Sequence, residues 1–485
     1  MNKFFTVAAA VLAGGALFSS SVVAESLPLK SVNKANEVIA AAIEAHGGQE
    51  ALENLSSVVQ KSTLVTWQTG QSRKPGPPYD QGKGSNLQAI DLESSIYFSH
   101  NTGEGGGYVF DQGVIIDGED SWQLNHRAGT AAPIAEPDFD TQSGPFIRVT
   151  PPLLMKQLQA RAGQSNWLGE VEIDGKPHDV VTLVMAVGPV LSLYIDRESH
   201  MLTRMERVLP PFGQVEYRFT DYQEVDGIPF NQSFMLYVNG DENLDIDILA
   251  TKVNVPVSDY AQLPDNLEKV AAVTPDDMSI NEVAENVYLA GGNGTYTLFA
   301  VQPESVVAVG GTLIVPEALK LLREQVTDLP ISHGVLTHHH SDHVPGAATY
   351  AKQGATLVTF AENESVVRQA AGNEIVKLSF FEGEMSLGSG PARVELYNIG
   401  PTPHAENILI AWLPEHKLIF EADHFPLPAN GVIPPAVPAT VAFAAALDRL
   451  GLDYEKITGT HSPRTAGPED MRTALTSGST VTAAR

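Results

Sequence analysis

The chain has 485 residues, of which 43% are hydrophobic and 7% aromatic, and this composition is typical of a folded protein rather than a disordered one. Its formal charge of -28, from 30 basic and 58 acidic residues, argues against a nucleic-acid partner, because a phosphate backbone requires a basic surface. The length exceeds that of one ordinary core and predicts two domains.

The first residues have the pattern of a secretory signal peptide. Lys3 precedes an apolar stretch, Phe4–Phe18, and a small-residue cleavage signal that ends at Ala24. We expect residues 1–24 to be removed and the protein to be exported to a bacterial periplasm or the extracellular space; the alternative is an uncleaved amphipathic anchor. The chain has no Cys, which excludes disulfides and cysteine-linked lipids. We also expect no membrane span, because no other segment is long and apolar enough.

Residues 25–270 are predicted to form a β-rich domain. The stretch 33–55 has helical periodicity broken at Gly47-Gly48, and a second helical stretch covers 152–163. Strand patterns separated by turn sequences follow at 180–187, 191–196, 201–208, 214–222 and 230–238. These elements predict a curved antiparallel sheet with one covered face.

The histidines of this first half show no spacing typical of a catalytic constellation. We expect surface or helix-capping roles for all of them, namely His46, His100, His126, His178 and His200.

Three stretches of the first half resemble periplasmic lipoprotein-carrier and lipoprotein-sorting proteins. They read AHGGQEALENLSSV (45–58), YIDRESHMLTRMERV (194–208) and YRFTDYQEVDGIPF (217–230). The resemblance implies a half-barrel with an apolar cavity able to hold an acyl chain.

The pattern of predicted elements changes after about residue 270. Residues 263–280 are polar with little periodicity and are interpreted as a linker. Residues 271–485 then alternate strand and helix patterns, with strands running into loops that could carry ligands.

The segment LTHHHSDHVPGAA (336–348) has the spacing of a metal site. His338 and His340 stand two apart on an extended loop after a predicted strand at 334–337, so both imidazoles can face one ion. Asp342 and His343 are predicted to begin a helix and to serve a second ion nearby. His339 alternates to the other side and is not expected to be a ligand.

Three more ligand candidates, His404, Asp423 and His461, lie further along the chain. Each lies beside a predicted strand, where the strand meets a loop, so all three can gather at one edge of the sheets. Seven suitable positions in order argue against a set of unrelated surface histidines.

This pattern, His-x-His-x-Asp-His followed by His, Asp and His, resembles the metallo-β-lactamase superfamily over residues 280–476. The resemblance implies an αββα sandwich with a two-metal site at one edge, so the expected fold class is α+β with a half-barrel-like first domain. It assigns His338, His340 and His404 to the first metal, Asp342, His343 and His461 to the second, and Asp423 to a bridge between them.

Details of the ligand set narrow the expected metal. With Asp423 and no Cys, the ligand set resembles that of glyoxalase II and lactonases rather than that of β-lactamases with a thiolate ligand. His340 stands where redox di-iron members carry an acidic residue, so we expect zinc, two ions per chain, although iron or manganese also fits. Gly310 and Gly311 stand where relatives usually carry an acidic residue that supports the metal loop, which puts metal affinity in question.

The sequence therefore predicts a metal-dependent hydrolase. A hydroxide between two ions would attack the carbonyl of a small-molecule ester, thioester, lactone or amide, β-lactams included. Asp342 is the candidate catalytic residue, because it can orient the hydroxide or pass its proton to the leaving group. The substrate is expected to be a small molecule, with an apolar or acyl portion as one option. Two alternatives are a mononuclear iron oxidoreductase similar to sulfur dioxygenases, and a lipid-binding carrier with an inactive second domain; the oligomeric state is left open.

Overall fold

A computed structural model describes residues 26–209, 213–272 and 276–482, with side chains described up to residue 477. The predicted signal peptide lies outside the described residues. The described residues form nine α-helices and three β-sheets, which confirms a protein of mixed helix and sheet. Among them, no helix combines the length and the apolar character that crossing a bilayer requires.

The first sheet has fourteen strands and contains most of the first half of the chain. Its strand order is β14-β6-β5-β4-β3-β2-β1-β13-β12-β11-β10-β9-β8-β7, and every pair is antiparallel except β14 with β6. The strands are β1 (Ser57–Trp67), β2 (Gln81–Asp91), β3 (Ile96–Gly105), β4 (Tyr108–Ile116), β5 (Trp122–Asn125), β6 (Thr130–Pro133), β7 (Trp167–Ile173), β8 (Lys176–Leu183), β9 (Leu191–Asp196), β10 (Leu202–Leu209), β11 (Gly213–Val225), β12 (Ile228–Val238), β13 (Asp241–Val253) and β14 (Glu268–Lys269).

Four helices cover one face of this sheet: α1 (Leu27–Ala45), α2 (Gln49–Glu53), α3 (Phe139–Arg148) and α4 (Pro151–Ala160). In α1, Ala35, Val38, Ile39 and Ala42 recur at helical spacing and are buried against the strands. The break predicted at Gly47-Gly48 separates α1 from α2, and both glycines have positive φ. The half-barrel interpretation of this unit stays a prediction.

The opposite face of the same sheet is covered by the segment 255–269, which we call the strap. Val257 and Leu267 of the strap are buried against Phe98, Ile115 and Leu124 of the sheet. The strap ends in β14, which adds to β6 as a parallel strand. Part of the predicted linker is thus packed and hydrogen-bonded.

Two histidines that were expected at the surface or at helix ends are buried. His46 ends α1, where its ring donates to the Ala42 carbonyl at 2.7 Å, and burial lowers its pKa to about 4. His178 lies inside β8, with its ring nitrogens 2.9 Å from the Lys176 carbonyl and 2.9 Å from the Thr203 hydroxyl. The helix-end prediction holds for His46, whereas for His178 the surface prediction is wrong because β8 is packed on both faces.

The second half contains two further sheets and five helices. The seven-stranded sheet has the strands β15 (Ser279–Ala284), β16 (Val287–Gly292), β17 (Thr295–Val301), β18 (Val306–Val309), β19 (Ile331–Val335), β20 (Thr356–Thr359) and β21 (Lys377–Phe380) in chain order. The six-stranded sheet has β22 (Met385–Leu387), β23 (Val394–Asn398), β24 (Leu409–Leu413), β25 (Leu418–Glu421), β26 (Lys456–Gly459) and β27 (Ser462–Ala466), also in chain order. The helices are α5 (Val315–Gln325), α6 (Ala347–Lys352), α7 (Glu364–Ala371), α8 (Pro438–Leu450) and α9 (Pro468–Thr482).

These elements form four layers. One core lies between the two sheets, where Leu298 and Val335 of the first meet Leu396 and Phe420 of the second. A second core lies under α5, α6 and α7 on the seven-stranded sheet, and a third lies under α8 and α9 on the six-stranded sheet. The order is therefore helix, sheet, sheet, helix, and the loops that leave the strand ends are free to build a site at one edge.

Several predicted boundaries are wrong, among them those of one strand and one helix. The strand predicted at 180–187 is β8, which spans 176–183 and ends before the turn around Gly188. The helix predicted to begin at Asp342 begins at Ala347, because residues 341–343 form a turn and Gly346 is its N-cap residue.

Candidate metal centre

The histidine-rich segment is a loop that leaves β19 at the edge of the seven-stranded sheet. The main-chain carbonyl of Thr337 accepts a hydrogen bond from Leu409 N at 2.9 Å, so the loop is tied to the first residue of β24 in the other sheet. His338, His340 and His343 are each fully buried, whereas Asp342 keeps about half of its side chain exposed (49%). Three imidazoles and one accessible carboxylate therefore meet where the two sheets meet.

The structure brings all seven predicted ligands together. In each of two groups the potential ligand atoms lie within 4.8 Å of one another. The first group contains His338, His340, His404 and Asp423, and the second contains Asp342, His343 and His461.

Asp423 joins the two groups through its carboxylate. One oxygen lies 3.2 Å from His338 Nε2 and 2.8 Å from His343 Nε2, and the other lies 3.1 Å from His461 Nε2. Asp423 follows β25 with a φ of 63°, in the left-handed region that Asp tolerates better than most residues. The turn after β25 therefore directs one carboxylate toward both groups.

Hydrogen bonds to main-chain carbonyls fix which ring nitrogen of several imidazoles is free. His340 Nε2 donates to the Ser72 carbonyl at 3.0 Å, which leaves its buried Nδ1 without a partner among the described residues. His404 Nδ1 donates to the Gly106 carbonyl at 2.8 Å, and His461 Nδ1 donates to the Gly294 carbonyl at 3.2 Å. This arrangement is typical of metal-binding histidines, because the second nitrogen keeps its lone pair for the ion.

Two loops of the first half closely approach the histidine-rich loop that follows β19. The Gly70 carbonyl accepts from Ser341 N at 2.9 Å, and Gln71 Nε2 donates to Asp342 Oδ1 at 2.7 Å. A second contact comes from the tip of the β3–β4 hairpin, where the Tyr108 hydroxyl donates to the main-chain carbonyl of Asp423. The first half of the chain therefore forms part of the wall of the site.

Glycines at both contacts allow this approach. A Cβ at Gly107 would lie 3.2 Å from His404 N, and a Cβ at Gly70 would lie 3.2 Å from the Ser341 side chain. Both glycines have positive φ, a conformation that disfavours other residues.

The electrostatics of the site favour a cation. Burial, together with the neighbouring imidazoles, holds the pKa values of His338 and His340 well below the usual range, so both rings are neutral. Burial opposes a charge on His343 as well, but Asp423 and Asp342 raise its pKa to about 10. In the other direction, burial raises the pKa of Asp342, yet His343 and Gln71 hold it below its ordinary value. Two carboxylates thus stabilise positive charge beside the neutral rings of His338 and His340, and these donor types fit zinc or a similar divalent ion.

Several functional contacts carried no recognisable signal in the sequence. Gln71 and Tyr108 contact the site from more than 200 residues away, and Ser72 and Gly106 act only through main-chain carbonyls. The only local hint is the cluster of glycines at 103–107, which indicates a tight approach of the backbone.

His339 and His424 lie beside the ligands without joining either group. His339 Nε2 donates to the Ser72 carbonyl at 2.8 Å, and the expectation that it is not a ligand stays a prediction. His424 is buried between the Ala422 carbonyl and the Thr402 hydroxyl, at 2.8 and 3.1 Å. Its hydrogen bonds hold the turn that carries Asp423.

Gly310 and Gly311 have a packing role. A Cβ at Gly311 would lie 2.4 Å from the His343 carbonyl oxygen and 2.3 Å from Leu336 Cδ2. The Gly311 carbonyl accepts from Gly346 N at 2.6 Å, and the Gly310 carbonyl accepts from the Tyr350 hydroxyl at 2.5 Å. No acidic side chain fits at position 311, and the metal loop is supported by main-chain contacts instead.

Two cavities open beside the ligands, both between the halves of the chain. One groove of about 420 Å³ follows the helix-covered side of the first sheet and ends at His404, with Leu64, Gly103, Tyr108 and Phe110 among its lining residues. A second cavity, of about 380 Å³, is lined by His461 and by residues of β4, α8 and the proline-rich segment 426–435. A substrate bound at the ligands would therefore contact both halves.

Two histidines of the first half lie together in the fold, although their spacing in the sequence shows no pattern. The sheet brings His100 and His126 next to Asp111, with potential ligand atoms of the three residues within 4.8 Å of one another. Their sequence separations give no local signal, because the cluster depends on the pairing of β3, β4 and β5.

No protein-family model matches the sequence, and no curated protein matches it. Part of the chain is similar to solved structures of metallo-β-lactamase superfamily members. The metallo-β-lactamase FIM-1 from Pseudomonas aeruginosa, in its mono-zinc form, is 16% identical over 42% of this chain and 96% of its own, with a TM-score of 0.34. The stereoselective inverting sec-alkylsulfatase Pisa1 from Pseudomonas sp. is 17% identical over 41% of this chain and 40% of its own, with a TM-score of 0.32. The Flv1 flavodiiron core from Synechocystis sp. is 11% identical over 42% of this chain and 61% of its own, with a TM-score of 0.36. Such similarities assign no activity, which has to be argued from the residues of the site.

Proposed function

We propose that the protein is a metal-dependent hydrolase that binds two divalent ions, zinc by preference, and cleaves a carbonyl substrate such as an ester, thioester, lactone or amide. The observation that carries the proposal is the position of Asp423, whose two carboxylate oxygens reach histidines of both ligand groups within 2.8 to 3.2 Å. One group would be held by His338, His340 and His404, and the other by Asp342, His343 and His461.

The bound ions would supply Lewis acidity, which polarises a carbonyl and lowers the pKa of a bound water to about 7. The protein's own contribution is orientation and proton transfer. Asp342 is the ligand candidate with the most exposed side chain, and Gln71 holds one of its oxygens at 2.7 Å. Because His343 keeps the pKa of Asp342 low, the carboxylate is ionised at neutral pH. In this ionised form it can orient the attacking water, and it can relay the proton of that water to the departing oxygen, sulfur or nitrogen as the bond to the carbonyl carbon breaks.

The groove that ends at His404 supports an elongated substrate. Leu64, Tyr108 and Phe110 line it with apolar surface, and the glycines at 103, 105 and 106 leave space along one side. We place a largely apolar or acyl portion of the substrate in this groove, with its carbonyl carbon beside the ligands. The first half then serves as the substrate-binding wall of the hydrolase.

The first experiment measures the metal content of the full-length protein by plasma emission, followed by hydrolysis assays on esters, thioesters, lactones and β-lactams. Two or more zinc ions per chain, together with zinc-dependent hydrolysis, support the proposal. One iron with oxygen consumption on a persulfide would replace it with an oxidoreductase. A metal-free protein that rejects added zinc and co-purifies with lipid would replace it with a carrier.

Substitutions test whether the ligand candidates, rather than the fold as a whole, account for metal binding and turnover. His340→Ala and Asp342→Ala are expected to lower metal content and to abolish metal-dependent turnover. His333→Gln is the matched control, because His333 lies on β19 near the loop but outside both ligand groups. Turnover retained in both Ala variants, with circular dichroism unchanged, would contradict the assignment.

A further inference from the structure

Three chemically reactive side chains lie together on the strap-covered face of the first sheet, outside both ligand groups of the candidate metal centre, and one of them, Asp111, lines the same cavity as His461. His100 is on β3 and Asp111 is on β4, where Asp111 pairs with Thr102, two residues from His100. His126 follows β5, and its main-chain N donates to the Asp111 carbonyl at 2.9 Å. The strand register therefore places all three side chains on the same face.

Their geometry is that of a potential ligand group. His100 Nε2 lies 2.7 Å from Asp111 Oδ1, and the ring centroids of His100 and His126 are 4.6 Å apart. The potential ligand atoms of all three residues lie within 4.8 Å of one another. Gly113 is paired opposite His100. A tetrahedral zinc site needs ligand atoms about 3.3 Å apart, given bonds of about 2.0 Å, so small rotations of the side chains suffice.

An ion pair alone does not account for the cluster. The pair needs only His100 and Asp111, whereas His126 packs against His100 and its ring nitrogens hydrogen-bond to no group among the described residues. The neighbouring cation, Arg127, donates to the carbonyls of Val109 and Ala436 rather than to Asp111. Burial and the nearby His100 lower the pKa of His126, so its imidazole is neutral and able to bind a metal ion at neutral pH.

We propose that His100, Asp111 and His126 bind a further divalent transition-metal ion, separate from the seven-residue centre. Two imidazoles and one carboxylate are ligands that zinc accepts, with the remaining positions open to water. His100 and Asp111 each keep about a third of their side chain exposed (33% and 34%), so an ion can enter from solvent. The proposal does not depend on the proposed hydrolase activity.

The test measures zinc binding to the full-length protein after removal of metal by a chelator and equilibration with buffered zinc. His126→Gln and Asp111→Asn are each expected to bind about one zinc equivalent per chain less than the unsubstituted protein. His200→Gln is the matched control, since it removes an exposed imidazole from the turn between β9 and β10 of the same sheet. Its zinc content should not change.

A second measurement separates the cluster from the seven-residue centre. In a variant with His340→Ala and His343→Ala, cobalt added in place of zinc should still give visible absorption from the three-residue group. Addition of His126→Gln to that variant should remove the absorption. Equal zinc content in the unsubstituted protein and both cluster variants, together with no cobalt absorption in the double variant, would overturn the proposal. If the seven-residue centre bound no metal, His126→Gln would still lower the zinc content by about one equivalent per chain.

Discussion

Replacement of Tyr108 by Phe is expected to weaken metal binding at the seven-residue centre about tenfold. The Tyr108 hydroxyl donates to the main-chain carbonyl of Asp423, the residue whose carboxylate joins the two ligand groups. Burial and the charge of Asp423 raise the pKa of this hydroxyl well above its usual range, so it remains a donor. The substitution removes the donor and keeps the ring, which packs edge-on against His404 at 5.5 Å.

The magnitude follows from the contact that is lost. A buried carbonyl that loses its donor costs about 1 to 3 kcal/mol, and each 1.4 kcal/mol corresponds to about a factor of ten in affinity. Asp423 holds a positive φ of 63°, so the turn has a conformation that neighbouring contacts must maintain. Residues that orient metal ligands typically contribute about 10- to 100-fold in affinity, and the lower end applies because the ring contact with His404 remains.

The assay is competition for zinc against a chromophoric chelator, with urea unfolding of the metal-free protein measured in parallel. Tyr237→Phe is the control, because Tyr237 lies on β12 of the same sheet and stacks under Arg218 away from the ligands. A Tyr108→Phe protein with zinc affinity within about twofold of the original would refute the argument. The β3–β4 hairpin would then contact the site without orienting Asp423.

Two further predictions concern the metal loop. Gly311→Ala is expected to destabilise the fold by about 1 to 3 kcal/mol and to weaken zinc binding, because the added methyl would lie 2.4 Å from the His343 carbonyl oxygen. Urea unfolding with and without zinc measures both effects. An unchanged free energy of unfolding in both conditions would contradict the packing argument. Zinc binding at pH 8 is expected to release about one proton from His343, because Asp423 and Asp342 raise its pKa to about 10 although burial opposes this. That pKa exceeds the value of about 6.5 in an unfolded chain, so the charged ring stabilises the metal-free fold fully below pH 6.5, and the contribution is lost as the pH rises toward 10. An indicator dye in weak buffer measures the proton release, and binding without release contradicts the prediction.

The sequence was sufficient to find the seven residues that the structure brings together, because their pattern is local. His338, His340, Asp342 and His343 share one loop, and His404, Asp423 and His461 lie beside strands that were recognisable from their apolar patterns. The strand–loop positions follow from β-propensity and turn residues, which act over a few positions.

The remaining parts depend on contacts that the sequence does not encode locally. Ser72 and Gly106 contribute main-chain carbonyls, which every residue has, so no residue type marks them. Gln71 reaches Asp342 across 271 positions, and the cluster around His100 requires the register of three strands. Such contacts become visible only when the pairing of distant segments is known.

The strap also affects how readily the β3–β4 hairpin re-forms its contacts with the ligand groups. Val257 and Leu267 fix the strap to the outer face of the first sheet, and β14 continues it as a strand beside β6. The connection between the halves is nine residues long, from the end of β14 at Lys269 to the start of β15 at Ser279, and Val270 and Asp276 within it are themselves hydrogen-bonded. A short tether of this kind keeps Tyr108 and Gly106 at a high effective concentration near Asp423 and His404, so the contacts re-form without a bimolecular search. Two separately produced halves would need to bind each other to recover what the single chain obtains from this connection.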